Sequence, residues 1–136
     1  MLTVADLLEA GTINVQLLEF FLCRLWAGDS LLIAAGPSGT GKTTLLGALL
    51  NLIPPGELIH PVERGDQVPL SDPDNPILYL VHEINDAPYY CYIWGEDARK
   101  FLKASAENQI AATLHAETLA GVRKKLTEPP VGLEEG

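Results

Sequence analysis

Hydrophobic positions along the chain switch between a helical period and short unbroken runs. Leu17, Leu18, Phe21, Leu22 and Leu25 recur at helical spacing, which marks a helix from Val15 to about Ala27, opened by Thr12 or Asn14 and stopped by Gly28. A shorter helix precedes it, capped by Thr3, running to about Ala10 and ending at Gly11. Ser30–Ala35 is a compact apolar run, as expected of a strand buried on both faces. Residues 44–52 read as helix again, halted by Pro54-Pro55. Leu58–Val62 is a short second strand, weakened by Pro61. Residues 63–76 are polar, carry three prolines and read as a loop.

Ile77–Glu83 then predicts a buried strand, and Ile84–Gly95 a loop holding Tyr89, Tyr90, Tyr92 and Trp94. A helix is expected from about Glu96 to Ala106, a strand over Gln109–His115, and a last helix from a Thr118 cap to about Lys125. Residues 127–136 hold two prolines, two glycines and three acids, and predict a flexible acidic tail. Strands alternating with helices imply an α/β fold of three layers, α/β/α, around a mostly parallel sheet. One domain is expected over residues 1–126, with 1–28 as a helical lead-in. In such sheets ligands gather at the carboxyl ends of the strands. The polar residues that end strands, Glu63, Glu83 and His115, are therefore the ones to weigh.

Composition narrows the class. The 136 residues are 47% hydrophobic, which suits a packed core, and no apolar run approaches the span of a membrane helix. Eighteen acids against nine bases leave a net charge of −9, which argues against wrapping nucleic acid. Cys23 and Cys91 lie far apart with no metal-ligand spacing, so they read as core thiols in a reducing compartment, the cytoplasm. The basic clusters at 99–103 and 123–125 read first as solvated helix faces, and second as partners for a neighbour's phosphate or an acidic surface.

The chemistry concentrates in Gly36-Pro37-Ser38-Gly39-Thr40-Gly41-Lys42-Thr43, which fits G-x-x-x-x-G-K-[ST] between a strand and a helix. Glycines at those positions let successive N–H groups turn inward on phosphate oxygens, and the following helix adds its positive end. Lys42 is placed to reach the β- and γ-phosphates and Thr43 to hold Mg²⁺. Candidate nucleotide-binding residues are Gly36, Pro37, Ser38, Gly39, Thr40, Gly41, Lys42, Thr43 and Thr44. Glu83, ending an apolar strand, can hold Mg²⁺ through water or position the attacking water. Glu63 can orient that water, and a neutral His115 can sense the γ-phosphate. His60 and His82, just before the two acids, are weaker candidates.

These residues, in this order, resemble the hexameric ATPases of type II and type IV secretion systems, which drive secretion, conjugation and pili. Residues 36–54, GPSGTGKTTLLGALLNLIP, are similar to the family's Walker A stretch. ELIHPVE at 57–63 resembles its acidic box, where the Glu matches Glu63. ILYLVHEI resembles the Walker B strand and matches Glu83, and NQIAATLHAETL at 108–119 resembles the His box and matches His115. The resemblance, which covers roughly residues 6–126, implies a RecA-like P-loop NTPase core with ATP and Mg²⁺ as ligands. It also implies assembly into a homo-oligomer, a hexamer, or into a larger secretion or pilus machinery. The chain departs from the family pattern in several places. Arg64 stands where an Asp is usual and Asn85 where an Arg is usual, and the segments flanking the family's core have no counterpart in these residues. Arginines that complete the family's site are scarce, leaving Arg64 and Arg99 as candidates. The expectation is a protein that binds Mg·ATP and hydrolyses it slowly in isolation. The alternatives are a nucleotide-binding module or regulator with weak turnover, and, further off, a small-molecule kinase.

Overall fold

A computed structural model describes residues 3–36, 41–69 and 74–134. Its first helix, α1 (Val4–Glu9), opens on Thr3 with a reciprocal cap: the Thr3 hydroxyl accepts the Asp6 N–H and the Asp6 carboxylate accepts the Thr3 N–H at 2.8 Å. Helix α2 (Val15–Trp26) is capped by Asn14, whose side chain accepts the Leu17 N–H. It is followed by Gly28 at φ +86°, a conformation that favours glycine. Strand β1 (Leu31–Ala35) leads toward α3 (Lys42–Leu50). Next come β2 (Leu58–Pro61), a 3-10 turn at Gly65–Gln67, β3 (Ile77–Leu80), β4 (Glu83–Ile84) and β5 (Tyr92–Ile93). Helix α4 (Gly95–Lys103) and a further 3-10 turn lead to β6 (Gln109–His115), and α5 (Leu119–Thr127), capped by the Thr118 hydroxyl, follows.

Every ladder in the sheet is parallel. Strand β6 lies at its centre. One edge pairs with β1, Leu31 opposite Ala111 and Ala35 opposite His115. The other edge pairs first with β3, Leu80 opposite Ala111, and then with β4, Ile84 opposite Leu114. Strands β2 and β5 pair with the outer edges of β3 and β4. Six of the seven β6 residues are buried, as a central parallel strand requires.

Both faces of the sheet are covered at its centre, but Leu32 and Ala34 of β1 and all of β2 are exposed, so β1 is not the strand buried on both faces that its apolar run suggests. On one face, Leu46 and Leu50 of α3 pack with Leu78 and Ala111 and with the inward side chains of β1, Leu31 and Ile33. Behind α3, Leu7 of α1 packs with Ile13 and Ala48. On the other face Phe101 and Ala98 of α4 and Leu126 of α5 close over Tyr79, Val81, Ile84, Ile110, Ala112 and Leu114. A buried Val, Leu or Phe contributes roughly 1.5–3 kcal/mol, so this double layer supplies most of the drive to fold.

Several local features differ from the sequence reading; Cys23, expected as a core thiol, is exposed on α2, while Cys91 is buried. The strand expected over 77–83 breaks at Val81-His82. Val81 still donates its N–H to Ala111, but His82 donates to the Cys91 carbonyl instead. The expected loop 84–95 contains β5, formed because the turn before it folds back on β4. Cys91 in that turn holds φ +59°, unusual for a residue with a side chain. The described part of the tail, to Glu134, is packed rather than loose. Val131 is fully buried, Leu133 donates its N–H to Leu126, and the Arg99 guanidinium donates to the Val131 carbonyl at 3.3 Å. Two apolar side chains suffice to tie down a segment whose average composition reads as disordered.

Candidate functional site

Two strand ends and a helix start meet at the carboxyl edge of the sheet. Strand β1 delivers Gly36, which is buried, and α3 begins beyond it. Gly41 precedes α3 at φ +86° and provides no side-chain cap, so the first N–H groups of α3 have no partner within the helix. Pro37, Ser38, Gly39 and Thr40, counted among the phosphate-binding candidates, lie outside the described residues. Thr43 and Thr44 sit in the first turn of α3 and are exposed.

Lys42, the first residue of α3, is 9% exposed, and its Nζ lies 3.2 Å from Oε1 of Glu83, itself 13% exposed. A nearly buried ammonium is costly unless a charge partner faces it, and Glu83 is that partner. Oε2 of Glu83 accepts the Asn85 side-chain N–H at 2.8 Å, so both carboxylate oxygens are engaged. The strand break fixes this acid. The buried Thr113 hydroxyl of β6 donates to the His82 carbonyl at 2.5 Å, pinning the residue before Glu83 to the central strand. The site thus joins a cation on a helix start to an acid two strands away, with β6 between them.

His115 ends β6 opposite Ala35, and its side chain is exposed. Its carbonyl accepts the Lys125 ammonium at 3.1 Å, and the same ammonium lies 5.8 Å from the centre of the Trp94 ring. Burial lowers the Lys125 pKa from its usual value; Glu83 counteracts this and Lys42 adds to it. Lys125 therefore shares an electrostatic environment with the pair, although the sequence grouped it with its exposed neighbours Arg123 and Lys124. The signal was present in the helix period: Lys125 falls three and four residues after the half-buried Val122 and Gly121, on the inward face.

Glu63 stands elsewhere. It follows β2, at the outer edge of the sheet, and its N–H donates to the Gln67 side chain at 2.6 Å. It faces Tyr90 and Cys91, whose acidities both register its charge. The Cys91 thiol is pushed up chiefly by burial, and the Tyr90 hydroxyl chiefly by its hydrogen bond to Cys91. His60 rests edge-on to Tyr79 and His82 edge-on to Tyr90. Arg64 is exposed beside Asp66, and Arg99 is held between Glu96 and the Val131 carbonyl. Of the sequence candidates, the structure brings Gly41, Lys42, Glu83 and the backbone of His115 to one place, and leaves Glu63 at the edge. A cleft of about 310 Å³ opens beside Lys42, bordered by Leu7, Thr12, Ala35, Gly41, Thr44 and Leu45. The lead-in helix α1 thus walls one side of it. Among the described residues, no three or more His, Cys, Asp or Glu side chains group as a metal cage, and no helix is long and apolar enough to cross a membrane.

A mixed α/β fold with a parallel, curled sheet and a charged pair at the carboxyl ends of its strands is compatible with Rossmann-like and RecA-like proteins. No family model matches the sequence, and no curated protein does. Among solved structures the chain is similar to the VirB11 ATPase of the Brucella suis type IV secretion system, crystallised in complex with sulphate. The two share 21% identity at a TM-score of 0.52, over 90% of this chain and 40% of that one. At that identity the likeness shows the fold, over less than half of the relative's length.

Proposed function

We propose that the chain is a P-loop NTPase domain that binds Mg·ATP in the loop between β1 and α3, hydrolyses it slowly, and belongs to the secretion-motor type. The observation that carries this is the pairing of Lys42 with Glu83 across β6, because a P-loop enzyme needs its phosphate-binding lysine and its acid together at the carboxyl edge of the sheet. The likeness to a secretion ATPase supports nucleotide binding by analogy.

The residues fit the ligand. The uncapped start of α3 and the Lys42 ammonium offer donors and positive charge to phosphate oxygens, as in other helix-start anion sites. The Thr43 hydroxyl and, through water, the Glu83 carboxylate would hold Mg²⁺, for which oxygen donors are the right kind. Bound there, the metal supplies charge neutralisation on the β- and γ-phosphates. The cleft beside Leu7, Thr12 and Leu45 would receive the nucleoside end. Binding requires Lys42 to turn from Glu83 to phosphate, which frees a Glu83 oxygen to orient water. His115, beside the loop, would sense the γ-phosphate, while Glu63 would have to act from the outer edge or across a neighbouring copy. Work in the cytoplasm, as a homo-oligomer or within a secretion or pilus machinery, belongs to this reading.

A binding module with weak turnover is the second reading, favoured by Arg64 and Arg99 being engaged away from the pair. The two readings share one test. Calorimetric titration with Mg·ATP should give saturable binding that Lys42→Ala weakens by about 10- to 100-fold, as loss of a charge-assisted hydrogen bond implies. Equal affinity for both proteins overturns the proposal. Phosphate release per molecule that rises with protein concentration favours the motor, and a flat, near-zero rate favours the module.

A further inference from the structure

Lys125 differs from the other lysines of α4 and α5. Lys100, Lys103 and Lys124 are exposed, whereas Lys125 is half-buried at the carboxyl edge of the sheet. Its partners are the His115 carbonyl and the Trp94 ring, and among the described residues no carboxylate lies within ion-pair distance of it. A half-buried ammonium held only by neutral partners is poised to donate to a carboxylate. Glu83 lies close by in the sheet, because Ile84 pairs with Leu114, next to the His115 carbonyl that holds Lys125, and Glu83 is itself held by Lys42 and Asn85.

Resting on the nucleotide-binding reading above, we propose that Lys125 is a positioning residue that moves onto Glu83 when phosphate draws Lys42 away, so that loop occupancy is passed to α5. The move restores a cation beside Glu83, which otherwise meets the Asn85 amide and the water of the Mg²⁺ site. The lysine stem has the flexible reach such a move needs. Because Lys125 is anchored in α5, and its ammonium is held by the His115 carbonyl at the end of β6, the ammonium's shift pulls on the helix that closes one face of the core.

The Trp94 ring beside Lys125 reports the move. In a Trp26→Phe protein, Trp94 is the sole tryptophan, and its fluorescence is followed during titration with Mg·ADP and with a non-hydrolysable Mg·ATP analogue, alongside calorimetry. The expected result is a fluorescence change that tracks binding with Lys125 present, is lost in Lys125→Met, and returns in Lys125→Arg. Calorimetric affinity is held, and kcat of Lys125→Met falls by ~10- to 100-fold, as when a group acting through a ligand is removed. The same fluorescence change and kcat in Lys125→Met overturn the inference. Should Lys125→Met fail to fold, the response of the protein with Lys125 intact decides: a silent Trp94 upon measured binding overturns the inference alone. Absence of calorimetric binding overturns both it and the nucleotide-binding reading.

Discussion

The two ends of β6 are both polar, and they are polar in different ways. At its amino end the buried groups are neutral and paired, with the charges of Arg24, Asp29 and Glu107 left at the surface. The buried Gln109 amide donates to the Leu25 and Asp29 carbonyls at 3.1 and 2.9 Å, and the Ile110 N–H donates to the Ser30 hydroxyl at 2.9 Å. Asn108 donates to the Pro69 and Ala104 carbonyls. These bonds staple α2 and the 3-10 turn after α4 to the central strand. At the carboxyl end the groups are charged: Lys42, Glu83 and Lys125, with a cleft beside them. Neutral networks that satisfy every donor stabilise a unique arrangement, while desolvated charges are costly and are kept where chemistry uses them. The comparison teaches that one strand, seven residues long, keeps its neutral staples at one end and the charges on which the proposed function rests at the other.

The largest expected effect is at the charged end. Glu83→Gln keeps the shape and the Asn85 contact but removes the carboxylate, so phosphate release should fall by about 10²- to 10⁴-fold, the range for a general base or water-positioning group. Affinity for Mg·ATP should hold or tighten, because Lys42 no longer has a competing anion. A thermal melt should fall as well, because Lys42 loses its charge partner in a nearly closed site, so the loss of turnover is what sets this end apart. A variant that loses stability while keeping its turnover would erase the distinction between the two ends.

The amino end predicts the opposite signature, at smaller size. Gln109→Leu leaves the Leu25 and Asp29 carbonyls without their donor, and a denaturation curve should register a loss of roughly 1–3 kcal/mol. Nucleotide affinity measured below the melting transition should stay unchanged. A parallel fall in affinity would mean that the staples at this end also set the geometry of the loop.

The charged end was partly readable from the chain. The motif at 36–43 and the rule that ligands gather where strands end led to Lys42, Glu83 and His115 without any coordinates. Caps at Thr3, Asn14 and Thr118 were legible because capping is local chemistry. What was not legible is non-local. The strand break at Val81-His82 depends on Thr113, distant in the chain, and on a turn in which Cys91 takes a left-handed conformation that its type disfavours. Two-residue strands such as β4 and β5 carry no period to detect. Glu63 ended an apolar run as Glu83 did, yet only Glu83 follows a strand that pairs with β6. Val131 was hidden by the prolines, glycines and acids around it.

The smallest effect tests whether charge near this edge always means function. The Asp6 carboxylate stands in α1, which walls the cleft, but it is held by the Thr3 N–H first and the Thr3 hydroxyl second, and both lower its pKa from 3.8. A carboxylate depressed by folding contributes stability that is present above its unfolded value and is lost as pH falls through the lower, folded one. The cap should therefore persist through neutral and mildly acidic pH and open only below about 3.8, the reference from which Asp6 is displaced. Asp6 should titrate below that value by NMR, with the Thr3 amide shift following it. In Asp6→Asn the Thr3 amide should exchange faster at neutral pH while Mg·ATP affinity is unchanged. A marked loss of affinity would show that the cap holds the cleft wall in its binding shape, and charge at this end would then be functional even where it only closes a helix.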